Sequence, residues 1–226
     1  MVFIVLGYGV PENIIKDQNY NFYLRTVFNK VFDLTREKKN KKPVIILSGG
    51  KTDLLPPYKR SESGEMLKLF NNLRERAFVQ KETKSWRVYA EGTAISTLEN
   101  LVNSKILLKK KNIKTSSSYV FCEQTRHNRI NTLAKKIFGK NVQVLPIDFD
   151  NASNRYLDDK FIQTKEKGEL GLALWALKNK ENFEKCHKLY LEKFKYFREA
   201  KKSGKNINFI KDFWQTRQKE LINNLK

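Results

Sequence analysis

The segment that decides the fold is the run Val2-Phe3-Ile4-Val5-Leu6-Gly7-Tyr8-Gly9. Its apolar part, residues 2–6, is uninterrupted and rich in β-branched side chains, which is typical of a strand. The two glycines that follow mark a turn. They do not complete a dinucleotide-binding fingerprint, because Pro11 and Glu12 stand where a helix-opening glycine would be needed.

Similar apolar runs recur along the chain and predict strands over residues 2–6, 44–47, 86–90, 119–122 and 142–147. Amphipathic stretches separate them. Apolar residues repeat at helical spacing from Leu24 to Phe32, and further helices are predicted to begin near Ser61 and Ser96 and to run from about residue 126 to Gly139. The alternation predicts an α/β fold of the doubly wound type, with a mainly parallel five-stranded sheet, helices on both faces and additional C-terminal helices.

The strand pattern fades after Asp150. Residues 168–200 and 206–224 carry apolar and aromatic side chains at helical spacing, and Ser203-Gly204-Lys205 marks a break between them. We therefore expect an α/β domain over residues 1–150 and a helical extension over residues 151–226 that packs on the same domain.

The chain carries 45 Lys and Arg residues against 24 Asp and Glu residues, a formal net charge of +21. The excess is spread along the sequence, and clusters such as Lys109-Lys110-Lys111 fall where helices are expected to end, where cations are stabilised by the helix dipole. This distribution predicts at most weak, nonspecific nucleic-acid binding that weakens steeply with salt.

No apolar run approaches the roughly 18 residues that a membrane span requires. The first residues carry neither a basic flank nor a small-residue cleavage site, so we expect a cytoplasmic protein without a membrane span. Cys122 and Cys186 lie far apart and suggest neither a disulfide framework nor a metal site.

In an open parallel sheet, ligands bind beyond the carboxyl ends of the strands. Glycine, hydroxyl and charged residues follow the predicted strands, where glycines let a ligand approach the backbone and helix N-termini favour anions. These turns are Gly7-Tyr8-Gly9, Ser48-Gly49-Gly50, Glu91-Gly92-Thr93 and residues 123–129. The sequence thus predicts a polar ligand site at this edge of the sheet.

Together these segments resemble the YdcF/SanA/ElyC family, for which a Rossmann-like fold is known and a reaction largely is not. The resemblance covers roughly residues 2–147. The matching features are Gly7 and Gly9, Arg25 in the first helix, Ser48-Gly49-Gly50, Ser61-Glu62 with Met66, and Glu91 before Ser96-Thr97-Leu98-Glu99-Asn100.

The resemblance implies a small adenosine- or phosphate-bearing ligand, and S-adenosylmethionine is the most specific candidate because a family member has been associated with it. Glu91 and Glu62 are the implied catalytic or orienting carboxylates. The implied ligand-binding residues are Gly7, Gly9, Arg25, Ser48, Gly49, Gly50, Thr97, Glu99, Asn100, Arg126, His127 and Arg129. The family's His-x-x-Arg segment is altered here, since Arg126 stands three residues before Arg129 and His127 only two.

Structural roles compete with these assignments. Ser96 and Glu99 have the spacing of a capping box, and Glu62 can complement a helix N-terminus. Cys122 is more typical of a small buried apolar residue than of a nucleophile. Glu91 is harder to explain structurally, because a carboxylate that ends an internal strand is partly desolvated and needs a partner. We therefore expect Glu91→Gln to weaken ligand binding or turnover at least about tenfold while the melting temperature stays within a few degrees.

Whether the chain is an enzyme stays open at this point. The alternatives are a non-catalytic ligand sensor that uses the same site, and a basic nucleic-acid-binding protein. An enzyme alters its ligand during incubation, whereas a sensor returns it unchanged with an altered affinity for a partner.

Overall fold

The computed structural model describes residues 1–39, 42–114, 117–149, 158–205, 212, 213 and 216. The chain divides into two compact units. The first comprises Met1–Asp53 and Lys59–Phe149, and the second comprises Leu54–Tyr58 and Asp150–Lys226.

The first unit is built on a five-stranded, all-parallel sheet. Its strand order is β3-β2-β1-β4-β5. The strands are β1 (Val2–Leu6), β2 (Val44–Ser48), β3 (Arg87–Glu91), β4 (Ser118–Glu123) and β5 (Val142–Ile147). The order runs outward in one direction from β1 to β3 and in the other from β4 to β5. The topological switch point, where ligands bind in such sheets, therefore lies between the carboxyl ends of β1 and β4.

Five helices of the first unit flank the sheet within the described residues: α1 (Gln18–Glu37), α2 (Glu62–Arg74), α3 (Ala77–Thr83), α4 (Thr97–Lys110) and α5 (His127–Phe138). The helices α1 and α2 pack together over the face that presents Phe3 and Val5. The helices α4 and α5 also pack together, and they contact the strands. Because neighbouring strand residues point to opposite faces, Ile4 is fully buried on the other side. The predicted doubly wound α/β class is confirmed.

Local capping explains where these helices begin. Asp17, Ser61 and Ser96 are the N-cap residues of α1, α2 and α4, and each side chain accepts a hydrogen bond from a backbone N–H of the first turn. Gly139 ends α5 with a φ of 94°, a conformation that favours glycine. The predicted starts near residues 61 and 96 and the predicted end at Gly139 are therefore confirmed.

The second unit contains α6 (Asp159–Ala176) and α7 (Lys180–Lys202). The predicted single helix over residues 168–200 is wrong, because the chain turns between α6 and α7 and Asn179 caps the new helix by accepting from Asn182 N. The predicted break at residues 203–205 is confirmed, with Gly204 at a φ of 72°. Most of the predicted helix over 206–224 lies outside the described residues.

Aromatic packing organises the second unit. Leu54 packs against a cluster of Phe197, Ala200 and Phe213, and the guanidinium of Arg198 lies 5.1 Å from the ring centre of Tyr58. The segment Leu54–Tyr58 therefore belongs structurally with helices that follow it by a hundred residues or more. No helix in the described ranges combines the length and apolar character needed to cross a lipid bilayer.

Candidate functional site

The loops that follow β1 and β4 meet at the switch point through Arg126. Its Nη1 donates to the carbonyl oxygen of Gly7 at 3.4 Å, and its Nε lies 3.9 Å from Glu123 Oε2. Both distances exceed the 2.7–3.2 Å typical of strong N–H···O bonds. The side chain is 20% exposed. A guanidinium with long protein contacts and access to solvent can donate to an incoming anion.

Glu62, the first residue of α2, lies beside the same turn. It is 6% exposed, and its Oε1 accepts a hydrogen bond of 2.5 Å from Thr52 Oγ1. A Cβ atom on Gly7 would lie 2.8 Å from Glu62 Cβ, and one on Gly49 would lie 2.6 Å from it. Both positions therefore have to be glycine for the buried carboxylate to fit.

The predicted glycine cradle is thus largely filled by the protein itself. Glu62 occupies the space beside Gly7 and Gly49, and a Cβ on Gly50 would lie 2.8 Å from the carbonyl carbon of Ala94. Gly9 differs, because nothing lies within 4 Å of its Cβ position and its φ is 130°. Of the predicted glycines, Gly9 is the one that leaves open space next to the backbone.

Glu91 is held by protein donors on both carboxylate oxygens. Its Oε2 accepts from Ser48 Oγ at 2.9 Å, and its Oε1 accepts from Thr93 N at 2.8 Å and from Thr93 Oγ1 at 2.6 Å. Longer contacts come from Ala94 N at 3.3 Å and Asn103 Nδ2 at 3.5 Å. Ser48 Oγ also lies 3.2 Å from the carbonyl of Asn100. These contacts supply the partner that a buried carboxylate requires, and they tie β2 to the turn between β3 and α4.

The start of α4 shows the capping arrangement. Glu99 N donates to Ser96 Oγ at 3.2 Å, and Glu99 Oε2 accepts from Ile95 N at 3.0 Å. Thr97 is the first residue of α4 and is partly exposed. Asn100 is 6% exposed, and its Oδ1 has no hydrogen-bond partner among the described residues. The geometry accounts for Glu99 through capping and leaves the amide of Asn100 without an explanation.

The remaining predicted residues are distributed unevenly. Arg25 lies on the exposed face of α1, outside the contacts around Arg126 and Glu62. His127 and Arg129 both lie in the first turn of α5, where His127 is partly exposed and Arg129 is buried. The structure therefore brings Arg126 and Glu62 to Gly7 and leaves Arg25 apart.

Three tyrosines at the same edge were not predicted as site residues. Tyr23 Oη lies 2.9 Å from the carbonyl of Leu6 and 3.2 Å from that of Phe121, so it bridges the ends of β1 and β4. Tyr20 Oη donates to Gly9 O at 2.5 Å and accepts from Tyr8 N at 3.1 Å. Tyr8 stacks on Tyr20 with ring centres 4.0 Å apart. Burial raises the pKa of all three phenols, so they stay neutral even at a pH where an exposed tyrosine ionises. The hydroxyl of Tyr8 has no hydrogen-bond partner among the described residues.

A signal for two of these tyrosines exists in the sequence. Tyr20 and Tyr23 extend the apolar stripe of α1 by one turn toward its start, ahead of Leu24. The pair Asp53 and Arg60, which forms a salt bridge at 2.8 Å, had no such signal because both residues lie outside regular elements.

A separate groove of about 550 Å³ lies where α2 meets α3. Its lining includes Arg74, whose Nη2 donates to the carbonyl of Thr83 at 3.1 Å near the end of α3. A cation at a helix end has a structural role there, and none of the predicted site residues lines this groove.

In the part of the chain that the structure describes, no three His, Cys, Asp or Glu side chains converge as metal ligands would. Comparison with family models, with curated proteins and with solved structures finds no match for this chain. Fold and geometry together define a doubly wound α/β protein with a partly exposed arginine, Arg126, at its switch point.

Proposed function

We propose that this chain is a YdcF-like protein that binds a small adenosine- or phosphate-bearing ligand at the carboxyl ends of its strands. S-adenosylmethionine is the first ligand to test, because it is the most specific candidate that the family resemblance implies. The observation that carries the proposal is the position of Arg126, which lies between the ends of β1 and β4 and donates a long hydrogen bond of 3.4 Å to Gly7 O.

Arg126 suits an anionic group of such a ligand. A guanidinium offers donors in a planar fork that matches a carboxylate or a phosphate, and such charge-assisted bonds are roughly twice as strong as neutral ones. S-adenosylmethionine carries a carboxylate and a nucleotide carries phosphates. Either group would replace the long contact to Gly7 O with shorter bonds.

Glu62 and Gly9 supply the complementary features. The buried carboxylate of Glu62 lies against the Gly7 turn and can orient a ligand hydroxyl or amine, while open space beside Gly9 admits a ligand to the backbone. If a reaction takes place, Glu62 is the candidate for proton transfer, because its carboxylate lies against the Gly7 turn.

The test begins with the native protein. Mass spectrometry of small molecules retained through purification should detect an adenosine- or phosphate-bearing compound, and calorimetric titration should show saturable binding of S-adenosylmethionine or of inorganic phosphate. Retention of no such compound, together with no binding of either probe at millimolar concentration, would reject the proposal. Incubation with the bound compound then separates an enzyme, which alters it, from a sensor, which does not.

A further inference from the structure

Asp53 and Arg60 form a second ion pair near the site. We call this pair, together with the backbone carbonyls that Arg60 binds, the clasp. Arg60 Nε donates to Asp53 Oδ2 at 2.8 Å, and Arg60 Nη2 donates to Asp53 Oδ1 at 3.0 Å. Asp53 is 0% exposed, whereas the Arg60 side chain is 28% exposed. Both carboxylate oxygens and two nitrogens are engaged, which is the bidentate arrangement that fixes geometry most strongly.

The same guanidinium also binds the loop that follows β1. Arg60 Nη1 donates to the carbonyl oxygens of Pro11 and Glu12, each at 2.9 Å. One side chain from the segment before α2 therefore holds the loop between β1 and α1. The bond to Asp53 raises the pKa of Arg60, so the guanidinium stays charged throughout the accessible pH range.

Arg60 joins two segments, the loop between β1 and α1 and the segment between β2 and α2. Both carry residues of the proposed ligand site. Gly9 lies two residues before Pro11 on the first loop. On the second, Thr52 directly precedes Asp53 and donates to Glu62, which itself lies two residues after Arg60. The clasp thus connects the stretch that contains Gly9 with the stretch that holds the Glu62 carboxylate.

We infer that Asp53 and Arg60 are positioning residues for the ligand site, which hold the Gly9 loop against the segment that carries Glu62. The inference rests on the proposed function for its effect on binding. A largely buried ion pair adds little net stability compared with apolar packing. The four directed hydrogen bonds of Arg60, two of them to another loop, specify a geometry instead.

The experiment uses the full chain and two variants, Arg60→Ala and Arg60→Lys. Arg87→Ala is the matched control, because Arg87 is an exposed arginine at the start of β3, at the opposite edge of the sheet from the carboxyl ends of the strands. The first measurement is hydrogen–deuterium exchange of the amides of residues 8–13 without ligand. The second is the affinity for S-adenosylmethionine. Both measurements are made with and without millimolar guanidinium chloride, with sodium chloride as the salt control.

We expect Arg60→Ala to accelerate exchange over residues 8–13 and to weaken S-adenosylmethionine binding at least tenfold, and added guanidinium to restore a substantial part of both. The exchange rate and the affinity of Arg60→Lys should lie between those of the wild type and Arg60→Ala, because an ammonium cannot bind Asp53 in bidentate fashion and also reach both carbonyls. Arg87→Ala should leave both measurements unchanged.

Unchanged exchange in both Arg60 variants would overturn the inference, as would faster exchange with wild-type affinity. If the Arg60→Ala chain does not fold, Arg60→Lys decides the outcome by the same two measurements. If the wild-type chain binds no S-adenosylmethionine, the proposed ligand fails on its own. The exchange data with guanidinium rescue then decide whether the clasp orders the loop.

Discussion

The side chain of Glu62 fills the space that any side chain at Gly7 would need, since a Cβ atom on Gly7 would lie 2.8 Å from Glu62 Cβ and closer still to Oε2. The amide of Gly7 in turn donates to Ser48 O at 2.9 Å, so the turn after β1 cannot move away from β2 without breaking this bond. A buried carboxylate and a glycine thus depend on each other at the switch point.

Gly7→Ala is therefore expected to destabilise the protein by about 1–3 kcal/mol, the usual cost of overpacking a tight site. The measurement is chemical denaturation. Gly171→Ala is the matched control, because its Cβ position in α6 meets nothing within 4 Å. That variant should be neutral or more stable by about 0.5–1 kcal/mol. Equal stabilities for Gly7→Ala and the wild type would contradict the packing described here.

Glu91→Gln should change ligand affinity less than twofold, in contrast to the tenfold loss expected from sequence. The oxygens of Glu91 face Ser48 and Thr93, and a glutamine oxygen can still accept from Thr93 N while Ser48 accepts from the new amide. Glu91→Ala should instead cost about 1–3 kcal/mol for each buried donor left without an acceptor. Thermal unfolding and S-adenosylmethionine titration of both variants check this. A tenfold affinity loss in a stable Glu91→Gln protein would show that Glu91 contacts the ligand.

Alkaline pH should unfold the protein through its buried tyrosines. Burial raises the pKa of Tyr8, Tyr20 and Tyr23 above the ordinary value of 10.0. Below that pH both states carry neutral phenols and stability is unaffected. Above it the unfolded state loses protons first, so stability falls by up to about 1.4 kcal/mol per pH unit for each tyrosine. Absorbance at the phenolate band should show these three ionising only with the loss of circular dichroism; full titration in a native protein would disprove their burial.

Removal of residues 150–226 should expose the segment Leu54–Tyr58. Leu54 loses its contacts with Phe197 and Phe213, and Tyr58 loses Arg198. Limited proteolysis should then cut the shortened chain first within this segment, and the product should aggregate more readily than the full chain. A soluble, cooperatively unfolding fragment with the segment still protected would show that these contacts are dispensable.

Local sequence patterns predicted most of the fold. Apolar runs predicted every strand to within one or two residues. The signal is clearest for β1, β2 and β4, which are buried on both faces, whereas the edge strands β3 and β5 are partly exposed. Ser61 and Ser96 predicted helix starts through capping chemistry. The short helix Ala77–Thr83 was missed because seven residues are too few to show a period.

The site was harder to predict, because its contacts join distant parts of the chain. Nothing local indicates that Glu62 packs on Gly7, or that Arg60 reaches Pro11. The exposure of Arg25 could have been anticipated, since it follows the buried Leu24 by one position and about 100° of helix rotation. The ligand contact that the family resemblance implies for Arg25 stays a prediction.

The most direct test of the central claim compares two arginines. Arg126→Gln and Arg25→Gln each remove one positive charge, but only Arg126 lies between the ends of β1 and β4. Calorimetric titration with S-adenosylmethionine and with inorganic phosphate should show at least tenfold weaker binding for Arg126→Gln, consistent with the roughly 1.5–3 kcal/mol of a hydrogen bond to a charged group. Arg25→Gln should bind within twofold of the wild type. Equal affinities for the two variants, or a larger loss for Arg25→Gln, would contradict a ligand site at the switch point.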